Sequence, residues 1–187
     1  TLKWGANATI ANPFTLNGTA AINSSGFSAT LSGVLSGQGS LNIIDNLNLG
    51  TTGGVANTYS GGTTLAANKT VTVYKSSALG TGTVTMAGST TLKWGANATI
   101  ANPFTLNEVA AINSAGFSGT LSGILSGNGG LNIVDNLSLG TVGEAANTYS
   151  GGTTLATGKT VSVYKSGALG IGTSTMVNGA TLLWGTN

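Results

Sequence analysis

Apolar and polar residues alternate with a period of two along most of the chain, and no stretch sustains the periodicity of a helix. Leu2 and Trp4 flank Lys3, Phe14 and Leu16 flank Thr15, and Ala20 and Ile22 share a face. The same pattern recurs at Leu41/Ile43, Leu47/Leu49, Val71/Val73 and Val84/Met86, each pair enclosing one polar residue. Every such group predicts a short strand buried on one side only. The breaks carry turn chemistry: Gly5 to Asn7, Asn12-Pro13, Ser24 to Gly26, Ser36 to Gly39, Asp45-Asn46, Gly50 to Gly54, Ser60 to Gly62 and Gly80 to Gly82.

The pattern is also periodic on a longer scale. The stretch TLKWGANATIANPFTLN occurs unchanged at Thr1 to Asn17 and at Thr91 to Asn107, and it begins a third time at Thr181. Residues 1–90 and 91–180 are therefore two copies of one unit, differing at 22 positions, with residues 181–187 a partial third. Most differences keep size and polarity, as in Val34/Ile124 and Ile44/Val134, which suits two copies of one packed structure. The least conservative ones are Gly18/Glu108, Gly54/Glu144 and Ala87 to Thr90 against Val177 to Ala180. These predict exposed turns. The start on Thr1 and the stop inside a third copy point to a piece of a longer array.

Many short strands joined by tight turns at this period predict a parallel β-solenoid. Taking Leu2, Ala20, Leu41, Leu65 and Leu92 as equivalent positions gives about four coils of roughly 22 residues per repeat. With coils spaced by the interstrand distance, one repeat is expected to advance the axis by roughly 19 Å. The whole chain, 1–187, then forms one continuous solenoid segment. The rival is a pair of immunoglobulin-like sandwiches, for which about 100 residues is the usual size. Thr90 runs straight into the strand at Thr91 without a linker, which favours the solenoid.

Composition sharpens this picture. Charged residues make up 5% of the chain, against about 25% in an ordinary globular domain, while 31 glycines and many Thr, Ser and Asn occupy the polar positions. In a parallel stack, equivalent side chains of successive coils lie about 4.8 Å apart. Like charges there repel, whereas neutral amides and hydroxyls can hydrogen-bond along the row. The lysines (Lys3, Lys69, Lys75, Lys93, Lys159, Lys165) are scattered singly and there is no arginine, so no phosphate-tracking patch exists and nucleic acid is not an expected partner. Neither an apolar run long enough for a membrane helix nor any cysteine is present, so membrane insertion of this segment, disulfides and thiolate metal sites are not expected.

Within each copy, ANTYSGGTTLAANKTVTVYKSSALGTGTVTM (Ala56 to Met86) and ANTYSGGTTLATGKTVSVYKSGALGIGTSTM (Ala146 to Met176) resemble the autotransporter-associated β-strand repeat. The features that carry the resemblance are the Asn-Thr-Tyr-Ser-Gly-Gly-Thr-Thr core, the valine-rich strand after it, and Ala-Leu-Gly-x-Gly before the next strand. This resemblance implies a right-handed parallel β-helix in the passenger region of a bacterial type V secretion protein, exported through an outer-membrane barrel and displayed or released outside the cell.

Candidate chemistry is sparse. Without His, Cys or Arg most acid–base, nucleophilic and phosphoryl-stabilising arrangements are unavailable, so no catalytic residue and no cofactor is expected. Four carboxylates remain: Asp45, Glu108, Asp135 and Glu144. Asp45 and Asp135 are equivalent, so on the solenoid they stand too far apart for a glycosidase pair. Gly152 to Thr160 ends in Gly-Lys-Thr like a phosphate loop, but its spacing is wrong and no helix pattern follows; a turn with left-handed Gly158 or Asn68 before a strand is expected. One Asp per repeat is too few for calcium, and Asp45 is expected to accept local backbone N–H groups in a turn. Among aromatics, Trp4, Trp94 and Trp184 alternate in phase with Leu2, Leu92 and Leu182, which predicts burial. Tyr74 and Tyr164 lie out of phase with their valines, which predicts exposure and makes them the candidate sugar platforms.

The sequence thus points to a structural shaft of an extracellular bacterial surface protein, with adhesin binding of a glycan or receptor as the alternative. Expected partners are neighbouring repeats and end-to-end or lateral copies in a filament.

Overall fold

A computed structural model of the chain describes residues 1–185; Thr186 and Asn187 of the partial third copy lie outside the described residues. There is no helix among them, and every paired strand is parallel. The chain winds as a three-sided solenoid. Its first coil places Leu2–Lys3 on side one, Ala8–Ile10 on side two and Phe14–Thr15 on side three. Side two carries nine stacked strands, from Ala8–Ile10 to Ser174–Met176, one for each of nine coils. The register runs unbroken through the copy boundary, where Thr70–Val73 pairs with Thr91–Trp94 and that strand with Ala110–Asn113. Two separate sandwiches are excluded by this parallel continuity.

The repeat and the coil have different lengths. On side one the inward residues Leu2, Ile22, Ile43, Leu65, Met86 and Leu106 stand one above another. Leu92 belongs to side two, between Val71 and Ile112, and Leu182 to side three, above Val161. The expectation that Leu65 and Leu92 are equivalent is therefore corrected, because the residue above Leu65 is Met86 and Leu92 lies one side further on. One copy makes four coils plus one side. Each copy is accordingly rotated a third of a turn from the last, so the strand that opens the repeat occupies all three sides in succession.

The strands are only two to four residues long, shorter than an ordinary strand of about five or six, because a corner follows each one. Ala8–Ile10, Ala29–Leu31, Leu35–Ser36 and Thr63–Leu65 join those the alternation predicts. Inward residues form a core that is continuous along the axis, including Ile43, Leu65, Val73, Met86, Leu92, Ile100 and Leu139. At one corner type the coils approach so closely that a Cβ on Gly33 would sit 1.9 Å from the Asn12 carbonyl oxygen, and the same holds for Gly123 and Asn102. Only glycine fits there.

Outward residues form the neutral rows expected from composition. On side two Thr9, Thr30, Asn48, Thr72, Lys93 and Asn113 follow one another on successive coils. Lys93 thus lies between Thr72 and Asn113, with no like charge beside it.

Two burial expectations are corrected. The turn at Ala87 to Thr90 is not uniformly exposed, since Thr90 is buried and its hydroxyl donates to the Ala66 carbonyl at 3.0 Å. The next coil stacks over it. Trp4 and Trp94 are buried as the alternation predicts, at 4% and 0% exposure, but Trp184 is 73% exposed. Trp184 sits at the end of the stack, where no further coil covers it within the described residues.

Candidate functional site

The segment with the strongest sequence signature makes an interruption in the sheet. Residues 56–60 and 76–81 occupy side three of the third and fourth coils without forming strands, between Leu35–Ser36 and Ala98–Ile100. Some backbone bonds still cross between coils here, as from the Thr58 N–H to the Leu35 carbonyl at 2.8 Å and from the Thr81 N–H to the Tyr59 carbonyl at 2.9 Å, and side-chain hydrogen bonds supplement them. Asn57, buried, accepts the Leu35 N–H at its Oδ1 (3.1 Å) and donates from Nδ2 to the Ala78 carbonyl (2.7 Å), joining three successive coils. Tyr59 is fully buried; its hydroxyl shares a 2.6 Å bond with Thr63 Oγ1, which in turn donates to the Leu79 carbonyl oxygen at 3.0 Å. Burial drives the Tyr59 phenol well above its ordinary pKa and pushes Tyr149 up to about 12. The second copy repeats the arrangement: Asn147 joins Leu125 (2.9 Å) and Ala168 (2.6 Å), and Tyr149 bonds Thr153.

A lysine is folded under each interruption. The Lys75 ammonium donates to the Val55 carbonyl and to Asn57 Oδ1 (3.1 Å), while its methylenes pack against Gly50. Burial lowers its pKa. No carboxylate is paired with it among the described residues, whereas Lys165 has Glu144 Oε2 at 3.7 Å. Burial lowers the Lys165 pKa too, and Glu144 opposes the shift. These amines are structural plugs. Among the described residues Lys165 pairs with one carboxylate and Lys75 with none.

Asp45 does what its turn position predicts and more. Its carboxylate accepts the Asn46 N–H (2.9 Å), the Gly26 N–H from the coil below (2.9 Å), and the Lys69 ammonium from the coil above (2.9 Å). Asp135 repeats this with Asn136, Gly116 and Lys159 at 2.9, 2.7 and 2.8 Å. The lysine beside each carboxylate is the main reason its pKa falls well below the usual range, with the backbone donors adding to it. Among the described residues no three His, Cys, Asp or Glu side chains gather as a metal group would require. The Gly152 to Thr160 segment is a strand, a turn and the start of a second strand, with Gly158 at φ +67° and Asn68 at φ +60° in the other copy, as expected of that turn.

The exposure expected of Tyr74 and Tyr164 is corrected: both are half-buried, because each ring lies against the backbone of the next coil at Gly95 or Gly185. More exposed is a residue the alternation does not single out. Phe27 and Phe117, 39% and 41% exposed, project from the loops that Asp45 and Asp135 hold. Each borders an open groove, of about 400 Å³ beside Phe27 and about 370 Å³ beside Phe117. The first is floored by Asn46, Asn48, Thr70 and Thr72, the second by Asn136, Ser138, Thr160 and Ser162.

Fold and contacts together define the chain as a β-solenoid repeat protein. Compared with protein-family models, curated proteins and solved structures, it matches none.

Proposed function

We propose that the chain is a length of rigid shaft in an extracellular bacterial surface protein of the autotransporter passenger type. The observation that carries this reading is the unbroken parallel register from Val73 through Trp94 to the strand of Ile112, which makes successive copies one body. A chain of independently folded domains bends at its linkers, whereas a solenoid with a continuous core transmits load from coil to coil. The neutral outer rows let many copies stack without accumulating like charge along one side. The resemblance of Ala56 to Met86 to passenger repeats supports the secreted setting, and the absence of cysteine suits passage as an extended chain.

The buried Asn57, Tyr59 and Lys75 give the recurring motif a mechanical task in this shaft. At each interruption side chains reinforce the remaining backbone bonds, and the rotation of the copies puts successive interruptions on different sides. No side accumulates weak points.

Solution scattering on arrays of increasing copy number tests the shaft: the maximum dimension should grow by about 21 Å per 90 residues. Growth as for a flexible chain overturns it. For location, an antibody against the Phe27 loop should label intact cells that express the protein, and labelling only after lysis overturns the extracellular reading.

A further inference from the structure

Going beyond the shaft, the two grooves have features that a passive outer wall does not need. Phe27 is a large apolar side chain kept in water, and its loop is pinned from both sides of the stack. Gly26 N–H is held by Asp45, Ser28 N–H by Asn7 Oδ1 at 2.8 Å, and Phe27 N–H by the Ser24 carbonyl at 3.0 Å. Phe117 is held the same way by Asp135, Asn97 (2.9 Å) and Ser114 (2.9 Å). The backbone that carries the ring is thus held in place, which lowers the ordering cost of binding.

The face beside the ring ends in a second aromatic. In the second copy Thr120, Ser138 and Ser162 stack as an outward row on side three, with the Phe117 loop at one edge and Tyr164 at the other. In the first copy Thr30, Asn48 and Thr72 form the row on side two, between Phe27 and Tyr74. Since a three-residue strand spans about 10 Å, each face is wide enough for about two sugar rings between its aromatic edges.

The chemistry of this surface selects its ligand. Backbone groups of the floor are spent on the parallel ladder, so an added peptide strand finds no edge. The charges at the groove floors are paired, Asp45 with Lys69 at 2.9 Å and Asp135 with Lys159 at 2.8 Å, and the one cation that borders a face, Lys93 above Thr72, is replaced by Leu183 above Ser162 in the second copy, so no anion site recurs with the faces. What remains is an aromatic face for apolar C–H groups, with amides and hydroxyls able both to donate and to accept. We infer that the faces bounded by Phe27 and Tyr74, and by Phe117 and Tyr164, bind a neutral oligosaccharide. Phe27 and Phe117 stack on a pyranose ring, while Asn48, Thr72 and their counterparts Ser138 and Ser162 bond its hydroxyls.

The test is an NMR titration of the full chain with cellotetraose, maltotetraose and tetra-N-acetylchitotetraose. At least one should shift the amides of Gly26, Phe27, Asn48 and Thr72 and their second-copy equivalents saturably, in the millimolar range expected of so open a site. Phe27→Leu with Phe117→Leu, exposed positions that keep the fold, should weaken binding by at least about tenfold at an unchanged melting temperature. Asn48→Lys with Ser138→Lys, outward positions whose row neighbours Thr30, Thr72, Thr120 and Ser162 are all uncharged, should abolish it. Saturable shifts from none of the three, shifts confined to other faces, or variants that bind as well as the parent overturn the proposal. So does a concentration-dependent shift of the same amides without sugar, which would mark the faces as contacts between copies of this chain.

Discussion

Leu2 and Leu92 are the same residue of the repeat and stand on different sides of the solenoid, Leu2 beneath Ile22 and Leu92 between Val71 and Ile112. The fold therefore recognises a side, not a copy. Any inward position on one side must accept the neighbours supplied by unrelated parts of the repeat, as when Met86 is followed by Leu106 and Trp94 stacks on Val73. Interchangeability of medium and large apolar residues is what keeps a single continuous core possible.

Removing one whole coil should be tolerated where removing half is not. Met86 stacks directly beneath Leu106, so excising residues 87–106 joins positions already in register. The shortened chain should keep one cooperative thermal transition. Excising residues 87–96 instead rotates all later coils off their sides and exposes the core, and the transition should broaden or vanish by circular dichroism.

The polar bonds of the interruption should show an asymmetry. Tyr59→Phe removes one bond and leaves Thr63 with Leu79, costing about 1 kcal/mol in urea denaturation. Thr63→Val leaves the buried Tyr59 hydroxyl and the Leu79 carbonyl without that partner, costing about 2 to 3 kcal/mol. Asn57→Ala orphans the Leu35 N–H and the Ala78 carbonyl together and should exceed both. Equal losses for Tyr59→Phe and Thr63→Val would mean that the hydroxyl pair is not the stabilising contact.

Stability should fall at both ends of the pH scale for separate reasons. Tyr149, with its folded pKa raised to about 12, contributes stability that is complete below about pH 10 and is lost as pH climbs from there through the folded value. Tyr59 acts in the same direction, and Tyr59→Phe with Tyr149→Phe should flatten the alkaline loss. Lys75 works oppositely: its lowered pKa means that the unfolded chain holds the proton longer, so its contribution rises with pH below the ordinary lysine value. Asp45 and Asp135, depressed by Lys69 and Lys159, contribute stability present above about pH 4 and lost as acid protonates them. Asp45→Asn with Asp135→Asn should remove that acid limb, a modest one because the paired lysines are partly solvated.

The second copy suggests how to improve the first. Gly54→Glu places a carboxylate where Glu144 already sits near Lys165, and should raise the Lys75 pKa in a lysine-side-chain NMR titration. Its gain in stability should stay below about 1 kcal/mol, since Glu144 is itself partly exposed. An unchanged Lys75 would show that the Glu144 contact does not transfer between the copies.

Alternation by two and a strict 90-residue period were enough to establish short strands, stacked copies and a parallel solenoid. The scarcity of charge was likewise legible as a consequence of close axial stacking, and Asp45 as a turn acceptor. Three things needed the tertiary structure. Coil steps vary from 18 residues, Leu31 to Leu49, to 24, Leu49 to Val73, so spacing alone does not assign residues to sides or reveal the rotation of each copy. Burial of Tyr59 depends on the coils above and below it, because its sequence neighbours Thr58 and Ser60 give no apolar phase. The Phe27 groove is assembled from residues 26–29, 46–48 and 70–72, on three different coils. Local sequence dictates which face of a strand turns inward, through the pleat; which residues meet across coils is decided by the lengths of the corners between them.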